Sequence, residues 1–166
     1  LSKLLAVTID ELTGIKGLED TKAITIKAAL ELGNRAVGSF HDSLPVLDSV
    51  KAVVAQLVDL RGKQKEYFMA LYLNTRKQLV YKETLSIGTL TETLVHPREV
   101  FEPAIRYLVS SIILAHNHPS KNSEASDEDI KLTEKLIQSG AILDIDVLDH
   151  IIITDDGYIS FKEKGL

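Results

Sequence analysis

Ser111-Ile112-Ile113-Leu114-Ala115-His116-Asn117-His118-Pro119 is the stretch that decides how this chain is read. Its first five residues form a short apolar run, consistent with a β-strand buried on both faces. His116 and His118 follow at a spacing of two, so in an extended chain both imidazoles project from the same face of the sheet. Pro119 cannot continue the ladder. The strand is therefore expected to stop just past the second histidine, leaving both rings at a sheet edge open to a cleft.

That geometry suits a shared cation. The chain has no cysteine and five histidines, which excludes disulfides, thiolate metal sites and cysteine nucleophiles and leaves histidine and carboxylate to hold any transition metal. Asp129 stands eleven residues beyond His118, within Ser126-Asp127-Glu128-Asp129 at the opening of the next helix. A loop of that length can fold the helix start back over the strand end. Two neutral imidazoles and one carboxylate then make a three-ligand site whose fourth position is left for water, the arrangement of catalytic zinc. Zinc held so brings the pKa of water toward about 7 and polarises a carbonyl. Ser126-x-x-Asp129 is also an ordinary helix-capping pattern. The two roles are compatible: a serine hydroxyl at the cap can also donate to an oxyanion forming on the attacked carbonyl.

Outward from this point the chain reads as a mixed α/β protein. Residues 1–36 form short helices, with Thr8 capping Ile9-Asp10-Glu11-Leu12, a turn at Gly14-Ile15-Lys16-Gly17 and helical spacing from Lys22 to Arg35. Residues 37–44, including His41, read as a solvated linker, and Pro45 opens the main domain, 45–166. Val46, Val50, Val53, Val54 and Leu57 mark a helix to about Leu60. From Glu66 the period changes to two: Phe68–Leu73, the turn Asn74-Thr75-Arg76-Lys77 and Leu79–Tyr81 form a hairpin, with another strand at Thr84–Thr89. Pro97 starts a helix running through Val100, Ile105 and Leu108. Asp127–Gln138 is an amphipathic helix stopped at Gly140, and strands at Ile142–Val147 and His150–Thr154 finish the sheet before an Asp155-Asp156-Gly157 turn.

With 166 residues, 45% of them hydrophobic, the chain can bury one sizeable core and a small satellite. A net charge of −5 gives no footprint for phosphate-backbone binding. No apolar run approaches the roughly 20 residues that span a bilayer, so no membrane association and a cytoplasmic location are expected. Opening at Leu1 without a methionine, the chain is expected to be the carboxyl-terminal part of something longer.

His116-Asn117-His118-Pro119, seven residues from Pro119 to Ala125, and Ser126-x-x-Asp129 together resemble the JAMM (MPN-type) metalloprotease signature, and specifically the His-Asn-His-Pro-Ser stretch of the RadC family. Further likeness lies in Ser86-Ile87-Gly88-Thr89-Leu90, Val95-His96-Pro97-Arg98-Glu99-Val100 and Leu148-Asp149-His150-Ile151-Ile152, so it covers nearly the whole chain from Pro45 onward. The resemblance implies a deaminase-like mixed-sheet domain with helices packed on the sheet, His116, His118 and Asp129 as Zn2+ ligands, Ser126 as oxyanion helper and a peptide or isopeptide amide as substrate. One departure is Lys121-Asn122-Ser123-Glu124-Ala125, where the family usually has a Gly-Asp-Pro-x-Pro type loop. The family also uses an upstream glutamate as general base, which follows the first helix and begins a strand. Glu66 matches that place, with Glu83 and Glu99 as competitors.

His150 is expected to be a structural histidine rather than a fourth ligand, and Arg98, beside His96 and Pro97, is expected to bind a neighbouring glutamate rather than a substrate carboxylate. The amino-terminal helices resemble a helix-hairpin-helix, with Ile15-Lys16-Gly17-Leu18 leading into Lys22-Ala23. Such hairpins hold DNA phosphates on backbone N–H groups, but Gly17-Leu18-Glu19-Asp20 sets two carboxylates where a phosphate would lie. The expectation is a RadC-type zinc metallohydrolase. A metal-dependent nuclease or DNA-repair accessory protein, and a metal-free MPN interaction module, are the alternatives. Retention of all three ligands opposes the last.

Overall fold

Ser111–Asn117, the apolar run and the first histidine, is strand β3, and every residue in it is buried. The computed structural model describes residues 7–42, 44–88, 95–119 and 124–166, with the side chains of residues 34–42 outside that description. The chain divides into two compact units, Leu1–Leu44 and Pro45–Leu166.

In the second unit β3 lies at the centre of a five-stranded sheet ordered β2-β1-β3-β4-β5. β1 (Glu66–Leu73) runs antiparallel to it and β4 (Asp146–Ile153) parallel to it. β2 (Leu79–Gly88) and β5 (Tyr158–Ser160) pair antiparallel on the outer sides. A strand flanked on both sides and covered on both faces has no wet surface, which is why β3 reads as an unbroken apolar run rather than an alternating one.

Side-chain alternation sorts the core into two layers. On one face Phe68, Ala70, Tyr72, Ile112 and Leu114 pack against Val100, Phe101, Ala104, Leu132 and Leu136. The last five come from helices α4 (Pro97–Arg106) and α5 (Asp127–Ile142). On the other face Met69, Leu71, Leu73, Ile113, Ala115, Ile151 and Ile153 meet Leu47, Val53, Leu57 and Leu60. Helix α3 (Val50–Ala55) and a 3₁₀ turn at Val58–Leu60 carry much of that cover. α5 is the crossover that a parallel β3–β4 pair requires. The fold is thus the mixed α/β sheet with packed helices that the sequence implies.

Several boundaries differ from the sequence reading, each for a local reason. Val46 is not helical but bridges Gln78, and the helix begins after Ser49, whose side chain accepts from Ala52 N–H. The strands expected separately at Leu79–Tyr81 and Thr84–Thr89 are one strand, Leu79–Gly88, with its register against β1 shifted twice; Thr89 lies outside the described residues. The helix from Pro97 ends at Arg106, and Leu108, at φ 51°, is 89% exposed. Gly140 does not stop its helix, which continues to Ile142. A Cβ there would meet the Ile145 carbonyl oxygen at 2.3 Å, so this glycine serves the close approach of the chain entering β4. Left-handed Asp144, φ 54°, makes the turn. The two strands expected around Leu148 are also one, with an irregularity between Ile112 and Ile113 that leaves Leu148 unpaired. A bulge of this kind reverses the alternation downstream.

In the first unit α1 (Ile9–Thr13) is closed by a reciprocal capping box between Thr8 and Glu11, as the sequence suggests. α2 (Asp20–Asp42) runs through residues 37–42, which the sequence reading assigned to a linker, and the His41 side chain lies outside the described residues. Gly17, at φ 95°, turns the chain between the helices, and Asp20 occupies the first turn of α2. Among the described residues no helix is long and apolar enough to cross a membrane.

Candidate metal centre

β3 delivers His116 to the α5 side of the sheet, because Phe68, its partner across the β1–β3 ladder, points there. His118 follows where β3 leaves β1: its backbone N–H bonds to the Ile153 carbonyl on β4 instead. The Nε2 atoms of His116 and His118 stand 3.0 Å apart. Asp129 arrives from the first turn of α5, with Oδ1 3.3 Å from His116 Nε2 and Oδ2 3.5 Å from His118 Nε2. The three residues offer ligand atoms all within 4.8 Å of one another. The structure therefore brings together the three residues that the sequence singled out.

Ser126 fixes the carboxylate. It is the N-cap of α5; its hydroxyl accepts from Asp129 N–H at 3.1 Å and donates to Asp129 Oδ2 at 2.6 Å, while its own N–H donates to the same oxygen at 2.9 Å. Thus the serine proton serves Asp129 here. Burial works to raise the Asp129 pKa, but the His118 hydrogen bond, the His116 charge and the Ser126 contacts outweigh it, and the carboxyl is held well below its usual range. Burial pushes the His116 imidazole down to about 4, against the opposing pull of Asp129. Two imidazole nitrogens and an ionised carboxylate converge in a nearly dry corner, a donor set that a cation would satisfy.

His150 lies outside the group of three. The bulge at Leu148 puts both Leu148 and Asp149 toward the α3 side and His150 toward α5. There its Nε2 lies 2.8 Å from His116 Nδ1 and its Nδ1 2.6 Å from Thr133 Oγ1, so both nitrogens are engaged. It is wholly buried between the rings of Phe68 and Phe161, 5.6 Å and 4.8 Å away centroid to centroid. Burial holds its pKa far down.

Glu66 begins β1, two residues before Phe68, half-buried and at the same end of the sheet as the histidines. Phe68 faces His116 across the last rung of the β1–β3 ladder, and Glu66, two residues earlier, falls on the same face of β1 beyond that rung. Its competitors lie elsewhere. Glu83 pairs with Ala70 in mid-sheet, and Glu99 sits in the first turn of α4, 3.8 Å from Arg98, which thereby takes a glutamate as expected. His96 is the N-cap residue of α4 without a side-chain capping bond.

Two residues escaped the sequence reading. Thr133 is one helical turn past Asp129, a spacing that could have drawn notice. Asn117, between the histidines, points to the opposite face. Its side chain accepts from Tyr67 N–H and donates to the Lys65 carbonyl, both at 2.9 Å, replacing the backbone rung lost where β3 leaves β1. The departing loop Lys121-Asn122-Ser123 lies outside the described residues.

Residues 47–166 match the family model described as the RadC-like JAB domain. The whole chain is 48% identical to a UPF0758 protein of Desulforamulus reducens, of which it covers 74%. It is also similar to UPF0758 proteins of Geobacillus thermodenitrificans and Bacillus cereus, at 44% and 42% identity, in both cases over 99% of this chain and 74% of the relative.

Proposed function

Because this chain belongs to the family of RadC-like JAB-domain proteins, we propose that it is a zinc-dependent hydrolase that cleaves a peptide or isopeptide amide in the cytoplasm. The observation that carries the reading is the meeting of His116, His118 and Asp129 within 4.8 Å, a donor set of two imidazoles and one carboxylate that fits zinc with a position left open. Zinc in such a site supplies the acidity that makes water a nucleophile near neutral pH and polarises the carbonyl it attacks.

The chain's own groups do the rest. Glu66, at the start of β1, accepts the proton released by the attacking water and returns it to the departing amine nitrogen as the C–N bond breaks. Ser126 holds Asp129 in place. With that carboxylate held by a metal, the serine hydroxyl would be free to donate to the carbonyl oxygen as negative charge develops on it. Asn117 grips the backbone on both sides of Glu66, which supports this role by steadying the start of the strand that carries it.

A nucleic-acid substrate finds less support, given the net charge of −5 and the Glu19 and Asp20 carboxylates at the helical hairpin. Incubating the zinc-loaded chain with a peptide library, a lysine-linked isopeptide and single-stranded DNA tests the choice. Amide cleavage that disappears in Glu66→Ala is the expected outcome. DNA cleavage abolished by the same substitution, with no amide turned over, would replace the reading with a nuclease.

A further inference from the structure

We propose that Thr133 and His150 are positioning residues that lock His116 into the one tautomer able to bind metal through Nε2. The inference rests on the metal reading above and extends it to residues that touch no substrate. Four groups form a continuous path: His116 Nδ1 to His150 Nε2 at 2.8 Å, His150 Nδ1 to Thr133 Oγ1 at 2.6 Å, and Thr133 Oγ1 to the Asp129 carbonyl oxygen at 2.6 Å. It starts on one metal-ligand candidate, passes through β4 and α5, and ends on the backbone of another.

The direction of every proton in the path follows from its last member. A backbone carbonyl only accepts, and two oxygens at hydrogen-bonding separation need a hydrogen between them, so the Thr133 hydroxyl donates to Asp129. Having one proton, it must accept from His150, whose Nδ1 therefore carries hydrogen. His150 is wholly buried, and the rings of Phe68 and Phe161 pack against it without a carboxylate on either of its nitrogens, surroundings that do not sustain a cation. Its Nε2 is consequently bare and accepts from His116. That places hydrogen on His116 Nδ1 and an open lone pair on Nε2, the atom 3.0 Å from His118 Nε2 and 3.3 Å from Asp129 Oδ1. The opposite tautomer would turn an N–H into the site and leave two lone pairs facing each other across 2.8 Å.

The bulge at Leu148 has a purpose in this arrangement. Without it the alternation along β4 would carry His150 to the α3 face, and His116 Nδ1 would be left without a partner. Partners of this kind, behind a metal-binding histidine, typically alter metal affinity by about 10- to 100-fold.

The test needs no substrate. Long-range ¹H–¹⁵N spectra of the imidazoles in the metal-free chain should show His116 and His150 as neutral rings protonated on Nδ1. Competition with a chromophoric chelator should show zinc held about 10- to 100-fold more weakly by Thr133→Val, and by Thr133→Ser as in the unsubstituted chain. His116 found with hydrogen on Nε2, or unchanged zinc affinity in folded Thr133→Val, would overturn the proposal while leaving the metal site standing. Should Thr133→Val fail to fold, the tautomers in the unsubstituted chain decide. A chain that takes up no zinc refutes the metal reading instead, and its spectra still decide the proton assignment.

Discussion

Asn117 brackets Glu66, bonding through one side-chain amide to the carbonyl of the residue before it and the N–H of the residue after it. The residue between the two histidines thus reaches across the sheet to hold the start of β1. Asn117 is 3% exposed and both bonds are partly buried, so truncation leaves a backbone donor and acceptor without these partners. Asn117→Ala should cost about 1–3 kcal/mol in urea unfolding for the unpaired groups. A loss below a few tenths of that would show the bracket to be slack.

Glu66→Gln keeps the shape and removes the proposed base. Turnover of the amide substrate should fall by about 10²- to 10⁴-fold with zinc content unchanged. Full turnover would move the proton transfer to another group, and loss of zinc would make Glu66 a ligand.

Acid should destabilise the metal-free chain in a defined window. His116 titrates near 6.5 when unfolded and at about 4 when folded. Above pH 6.5 neither state carries the proton; as pH falls the unfolded chain takes it first, so stability drops from pH 6.5 down to about 4. His150, shifted the same way by burial, adds to the fall, and Asp129, held below its ordinary 3.8, extends it further into acid. The His116 share is on the order of 3 kcal/mol. Urea midpoints at pH 7.5, 6, 5 and 4 check this; midpoints that stay level or rise with falling pH contradict it.

Gly140→Ala tests the packing that supports the site. The added Cβ would stand 2.3 Å from the Ile145 carbonyl oxygen and 3.3 Å from the Phe101 ring, against backbone that cannot turn aside. A loss of about 1–3 kcal/mol is expected despite alanine's better helix propensity. A stabilised variant would show that the β4 entry yields easily.

How much of this was legible in the sequence depends on whether the signal is local. The buried strand at Ser111, the His116 and His118 pair and the Ser126 cap show in spacing alone, because strand alternation and helix capping are properties of a few neighbouring residues. The continuity of β2 and β4 was hidden, since register shifts break the alternation that marks a strand. Gly140 read as a helix stop because its real constraint, the Ile145 carbonyl, is set by tertiary approach. Thr133 and His150 are 17 residues apart and meet only through the fold. Asn117 lay in plain sight between the histidines, but nothing local says that its amide crosses to β1.

The proposed chemistry depends on His116, His118 and Asp129 holding one ion together. Its most direct test is metal analysis of the chain purified without added zinc, beside His118→Ala shown to be folded by circular dichroism. About one equivalent of zinc in the former and almost none in the latter is the predicted result. Equal metal in both, or none in either after incubation with zinc, would contradict it.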